Sequence, residues 1–113
     1  MPEQTPSPVP TRADRGAPFD IAIRGGTVID GTRRPRFEAD VGIRDARIVF
    51  VGPMDAASAQ AARQRIDATG RIVAPGFIDC HTHDDRALLT DPPMTAKVSQ
   101  GVTTVVTGNC GIS

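Results

Sequence analysis

The chain has 113 residues, 13 basic and 13 acidic side chains for no net charge, and 39% apolar content; this fits a soluble globular protein and excludes a disordered polyelectrolyte or a basic nucleic-acid binder. Four Phe with neither Trp nor Tyr leave little on which bases or sugars could stack, so aliphatic packing must carry the core. Two cysteines make no disulfide framework, no basic and apolar leader opens the chain, and no run approaches the roughly 18 apolar residues of a membrane span, so the expectation is a cytoplasmic protein with neither membrane nor nucleic-acid partners.

Met1 to Pro18 holds five of the ten prolines and almost no large apolar residue. It cannot repay the entropy of ordering, so residues 1–18 are expected to form a flexible tail rather than a proline-rich ligand. From Phe19 the pattern has period two: Phe19, Ile21 and Ile23 alternate with Asp20, Ala22 and Arg24, and Gly25-Gly26 reads as the turn of a hairpin returning through Thr27 to Asp30. Phe37, Ala39, Val41 and Ile43 alternate again, followed by a turn near Asp45-Ala46 and a strand from Arg47 to Gly52. Asp55 to Arg65 is alanine-rich and reads as one helix with Asp55 as its N-cap. Ile66 to Ala68 and Arg71 to Ala74 flank Thr69-Gly70 as a last hairpin. Short strands with Gly and Asp punctuation predict a small β-sandwich segment over 19–75, and Pro75-Gly76 breaks the ladder to mark a domain boundary.

Phe77 to Cys80 is apolar until its end, as a buried parallel strand is, and a short helix is expected from about Pro93 to Gln100. Val102 to Thr107 is β-branched at every position and reads as the next strand. Strand, helix and strand thus occur once over 76–113, giving an α/β unit after a β-rich part. Polar, chemically capable residues end both strands, where parallel α/β folds place their active sites.

The strand ending in Asp79-Cys80-His81-Thr82-His83 places His81 and His83 on one face with Asp79 behind them, and Cys80 and Thr82 on the other. Two imidazoles on one face can bind a divalent ion such as zinc, although a His-x-His can also merely bond to nearby carbonyls. Cys110, in Gly108-Asn109-Cys110-Gly111 after the second strand, suits a thiolate ligand at the same rim; the alternative is an inert buried thiol. Asp79 reads as an acceptor that orients an imidazole, Asp84 and Asp85 as a solvated cap, and Cys80 as packing beneath the helices.

Pro75-Gly76-Phe77-Ile78-Asp79-Cys80-His81-Thr82-His83 resembles the first-strand signature of the amidohydrolase superfamily. The stretch from Ser99-Gln100-Gly101-Val102-Thr103-Thr104-Val105 to Gly108-Asn109-Cys110-Gly111-Ile112-Ser113 resembles its D-aminoacylase branch, the N-acyl-D-amino-acid deacylases. The resemblance, from about Phe19 to Ser113, implies a zinc-dependent (β/α)8 barrel that hydrolyses the amide of small N-acyl-D-amino acids. It assigns His81, His83 and Cys110 to the metal, with further histidines and a proton-shuttling aspartate on later strands, beyond Ser113. Such a barrel needs about 250 residues, so the chain reads as the front piece of a larger enzyme, inactive alone. Two other readings stay open: a cyclic-amide hydrolase of the dihydroorotase or hydantoinase type, and a non-catalytic fragment.

Overall fold

The computed structural model describes residues 16–108, which fall into two compact units parting between Ala74 and Pro75. Residues 1–15 of the expected tail lie outside the described residues. Its last two residues are tethered: the Arg44 guanidinium donates from Nη2 to the Ala17 carbonyl at 2.7 Å and from Nε to that of Pro18 at 3.3 Å.

The first unit is built on one mixed sheet. β1 (Ile21–Val28) pairs antiparallel with β2 (Phe37–Arg44), which pairs antiparallel with β3 (Arg47–Gly52). β4 (Gln64–Asp67) and β5 (Ile72–Val73) both run parallel to β1, one beside each end of it. Two expected hairpins are therefore corrected. Gly25-Gly26 is no turn: Ile23 faces Val41 and Gly26 faces Ala39, so Arg24 and Gly25 together oppose Asp40 as a bulge within a continuous β1. Gly25 carries the positive φ of 71° that a bulge places on glycine, and its N–H donates to Asp40 Oδ1 at 2.8 Å. The strands flanking Thr69-Gly70 do not pair with each other, because both add to the open edge of β1. The turn at Asp45-Ala46 does join β2 to β3, with positive φ at both residues.

One sheet face is covered. Ala22, Gly42 and Phe50 lie in register across β1, β2 and β3, and the two small residues leave room for a layer above. Phe19 fills part of it: a Cβ on Gly42 would stand 2.5 Å from its ring. Phe19 therefore packs on the Ala22 side, not with Ile21 and Ile23 as simple alternation predicts. α1 (Ala56–Ala61), shorter than the expected 55–65 because the chain turns extended at Ala62, adds Ala59. Ala22, Met54, Ala59 and Ala62 form the core, with Phe19 and Phe50 against it. Asp55 is the expected N-cap, accepting from the Ser58 N–H at 2.8 Å.

The other face is an apolar row, Ile23, Val41, Val51 and Ile66, in register across four strands. Val51 and Ile66, at its two ends, are exposed, whereas Val41 within it is buried. Among the described residues the unit is a single sheet with one helix, not the two stacked sheets of a sandwich.

The second unit is a parallel crossover: β6 (Phe77–Asp79), α2 (Ala87–Thr90), α3 (Thr95–Val98) and β7 (Val102–Val105), with β6 parallel to β7. The helix expected over 93–100 is present as the shorter α3, which starts after Met94 in the left-handed region, and α2, ahead of Pro92-Pro93, is a further short turn that the pattern did not predict. The predicted burial of β6 is also corrected, since Phe77 is 64% and Ile78 66% exposed. A two-stranded sheet offers those side chains no second layer. Gly76 lies so close to β7 that a Cβ there would collide with Thr103.

Candidate metal centre

Because β6 and β7 are parallel, both deliver their following loops to one end of the sheet. β6 stops at Asp79, two residues before the first histidine, so His81 and His83 stand in a loop and not on the strand. The strand-alternation argument is corrected accordingly. The two rings nevertheless lie together, edge to face with centroids 6.2 Å apart, and both residues are exposed. Two rings sharing one zinc ion, with each nitrogen about 2.0–2.1 Å from it, have centroids about 5–6 Å apart. The observed separation lies just beyond that range, so the rings would need to approach or rotate slightly to share one ion.

Asp79 does not orient an imidazole. Its Oδ1 accepts from the backbone N–H of His81 at 3.2 Å and its Oδ2 from Lys97 Nζ at 2.6 Å. The Lys97 hydrogen bond, then that from His81, holds the Asp79 carboxyl below the usual range. Lys97 is raised in turn by Asp79 and then Asp84, whose Oδ2 lies 3.2 Å from Nζ as an ion pair without hydrogen-bond geometry. Thr82 Oγ1 accepts from the same ammonium at 3.4 Å, and Thr82, between the histidines, is only 6% exposed.

Asp84 and Asp85, expected as a solvated cap, are half-buried. Asp85 Oδ1 accepts from the Gly108 N–H at 3.3 Å, tying the loop after β7 to the loop after β6. Cys110 and Asn109 lie outside the described residues. Cys80, expected beneath helices, is exposed, as its neighbours on β6 are. Among the described residues no three His, Cys, Asp or Glu side chains converge as a complete metal site. Sequence reasoning missed Lys97, whose only signal was an isolated cation in an apolar helix pattern.

Residues 64–113 match the model of the Amidohydrolase family. Similarity to its members extends further along the chain, over both units. It is 57% identical over 96 residues to a D-aminoacylase of Alcaligenes xylosoxydans xylosoxydans, covering 85% of this chain and 19% of that protein. It is 56% identical over 95 residues to an N-acyl-D-glutamate deacylase of the same organism, covering 84% and 19%. Among solved structures, the N-acyl-D-glutamate deacylase of Bordetella bronchiseptica, crystallised with zinc and a phosphonate mimic of the tetrahedral intermediate, superposes with a TM-score of 0.78. That match has 52% identity and covers 86% of this chain and 20% of the neighbour. The chain thus spans about a fifth of the length of the amidohydrolases it matches.

Proposed function

We propose that this chain is part of a zinc-dependent amidohydrolase that cleaves the amide of N-acyl-D-amino acids to a D-amino acid and a carboxylate. The observation that carries the reading is the His81–His83 pair at the carboxyl end of β6, in a chain 57% identical to a D-aminoacylase. His81 and His83 would hold the ion, together with Cys110 and ligands from beyond these 113 residues. A zinc ion bound there supplies Lewis-acid polarisation of a carbonyl and a water acidified to a pKa of about 7. The chain's own part is positional: Asp79 holds the His81 backbone, and Asp85 joins the two rims through Gly108.

In this reading β6 and β7 are the first two strands of a (β/α)8 barrel, and the apolar row of Ile23, Val41, Val51 and Ile66 receives the second sheet of a sandwich. Exposed Phe77, Ile78 and Leu89, the last at 85%, are faces that such a barrel would cover. The 113 residues alone are accordingly expected to hold zinc weakly and turn over no substrate. Sparse cysteine usage supports reading the enzyme as one of a reducing, cytoplasmic compartment; separately, no helix among the described residues is long and apolar enough to cross a membrane.

The test is purification of the full-length protein, measurement of zinc content, and assay on N-acyl-D-amino acids, their L-enantiomers and hydantoins. Stoichiometric zinc and D-selective deacylation, both lost in His81→Asn and Cys110→Ser, are expected. Turnover of ring compounds alone would transfer the protein to the cyclic-amide hydrolases.

A further inference from the structure

The loop that carries the histidines has few backbone ties of its own. Between Asp79 and Asp84 it belongs to no strand or helix, and both imidazoles stand exposed. One cation nevertheless reaches its beginning, middle and end. Lys97 Nζ, on α3, hydrogen-bonds Asp79 Oδ2 at 2.6 Å and Thr82 Oγ1 at 3.4 Å, and pairs with Asp84 Oδ2 at 3.2 Å. These three residues flank and separate His81 and His83 in sequence. The lysine is itself partly buried, with 27% of its side chain exposed, so the ammonium is held in place by its partners.

We infer that Lys97 is a positioning residue for the histidine pair: a single ammonium staples the loop at Asp79, Thr82 and Asp84 and keeps both carboxylates engaged with its own charge. Two consequences follow from charge and geometry. Without the staple, the loop no longer holds His81 and His83 side by side. Asp79 and Asp84, freed from their counter-charge, become competing oxygen ligands a few residues from the histidines, and hard oxygen donors favour higher coordination numbers than an imidazole and thiolate set. The inference rests on the proposed zinc reading, which it deepens by naming what fixes two of the ligands.

The experiment uses the full-length protein with zinc as the probe, in competition with a chromophoric chelator. Lys97→Met keeps the length of the side chain and removes its charge; Lys97→Arg retains the charge. Supporting groups around metal ligands typically contribute 10–100-fold to affinity, so Lys97→Met is expected to bind zinc at least about tenfold more weakly, with Lys97→Arg recovering much of the loss. The cobalt-substituted Lys97→Met protein should also show an altered visible spectrum, which a general loss of stability would not produce. Should Lys97→Met fail to fold, Asp84→Asn takes its place; it removes one anchor at constant shape, with a loss of about three- to tenfold expected. Unchanged zinc affinity and an unchanged cobalt spectrum in these variants overturn the inference while leaving the zinc reading intact. A wild-type protein that binds no zinc overturns the reading, and the inference with it.

Discussion

Gly76→Ala probes the close approach of β6 to β7, which sets where the histidine loop begins. Gly76 has no unusual φ, so alanine is acceptable to its backbone, and only the neighbour objects. The new methyl would stand 2.7 Å from Thr103 Cβ, against 3.4 Å or more for ordinary contact, so the strands must part by about 0.7 Å or side chain and backbone must distort. Thr103 cannot escape by rotating, because its Cβ is fixed to the strand. Overpacking of this kind costs about 1–3 kcal/mol, offset by about 0.4–1 kcal/mol from the smaller entropy of an unfolded chain bearing alanine. The net loss is about 0.5–2 kcal/mol, read as a lower urea midpoint for the full-length protein at unchanged m. Thr103→Gly removes the obstructing atoms, so Gly76→Ala in that background should be neutral or slightly stabilising. The coupling in this double-mutant cycle is the diagnostic quantity, expected at about 1–3 kcal/mol. Penalties that simply add would refute the steric account and show that Gly76 matters for some other reason, or not at all.

Asp40 accepts from the Gly25 N–H at 2.8 Å and the Met54 N–H at 2.9 Å, so Asp40→Ala orphans two donors and should cost about 1–3 kcal/mol by urea unfolding; an unchanged midpoint counts against the bulge depending on it. The carboxyls of Asp30, Asp55 and Asp67 lie below their ordinary range, held down chiefly by Thr32, Ser58 and Thr69 respectively. Below about pH 4 the unfolded chain therefore takes up protons first, and the stability these groups provide, present above that pH, drains away as pH falls toward their folded values. The triple variant Asp30→Asn, Asp55→Asn, Asp67→Asn should show a shallower loss of stability with acid, and an identical slope would contradict the assignment. Gly42→Ala presses a methyl 2.5 Å from the Phe19 ring and should lower the midpoint, with Phe19→Leu relieving part of the effect; two independent losses would argue that the ring does not fill that space. Removing zinc from the full-length protein by chelation should abolish deacylation, and re-adding zinc should restore it, whereas full activity after verified metal removal would end the metal-centre reading.

Much of the local order was legible in the residues. Asp55 caps α1 because a short carboxylate can reach the Ser58 N–H, and Asp45-Ala46 turns where a tight connection between two alternating strands is needed. The break at Pro75-Gly76 could be read because proline ends a ladder. His81-Thr82-His83 stood out because two imidazoles one residue apart at the end of an apolar run are a natural donor pair for a divalent ion. Pairing along β1 was not legible. A glycine with positive φ serves a turn or a bulge equally, and only the competition of β2 for the edge of β1 decides that Arg24-Gly25 bulges. Likewise Ile66 and Ile72 could have paired across Thr69-Gly70, but both pair with β1 instead. At the candidate site, sequence determined which residues could ligate a metal, because that is a property of side-chain chemistry. Tertiary structure alone decided that Lys97, 14 positions after His83, gathers Asp79, Thr82 and Asp84, because the return of α3 over the end of β6 is a long-range event that no local pattern encodes.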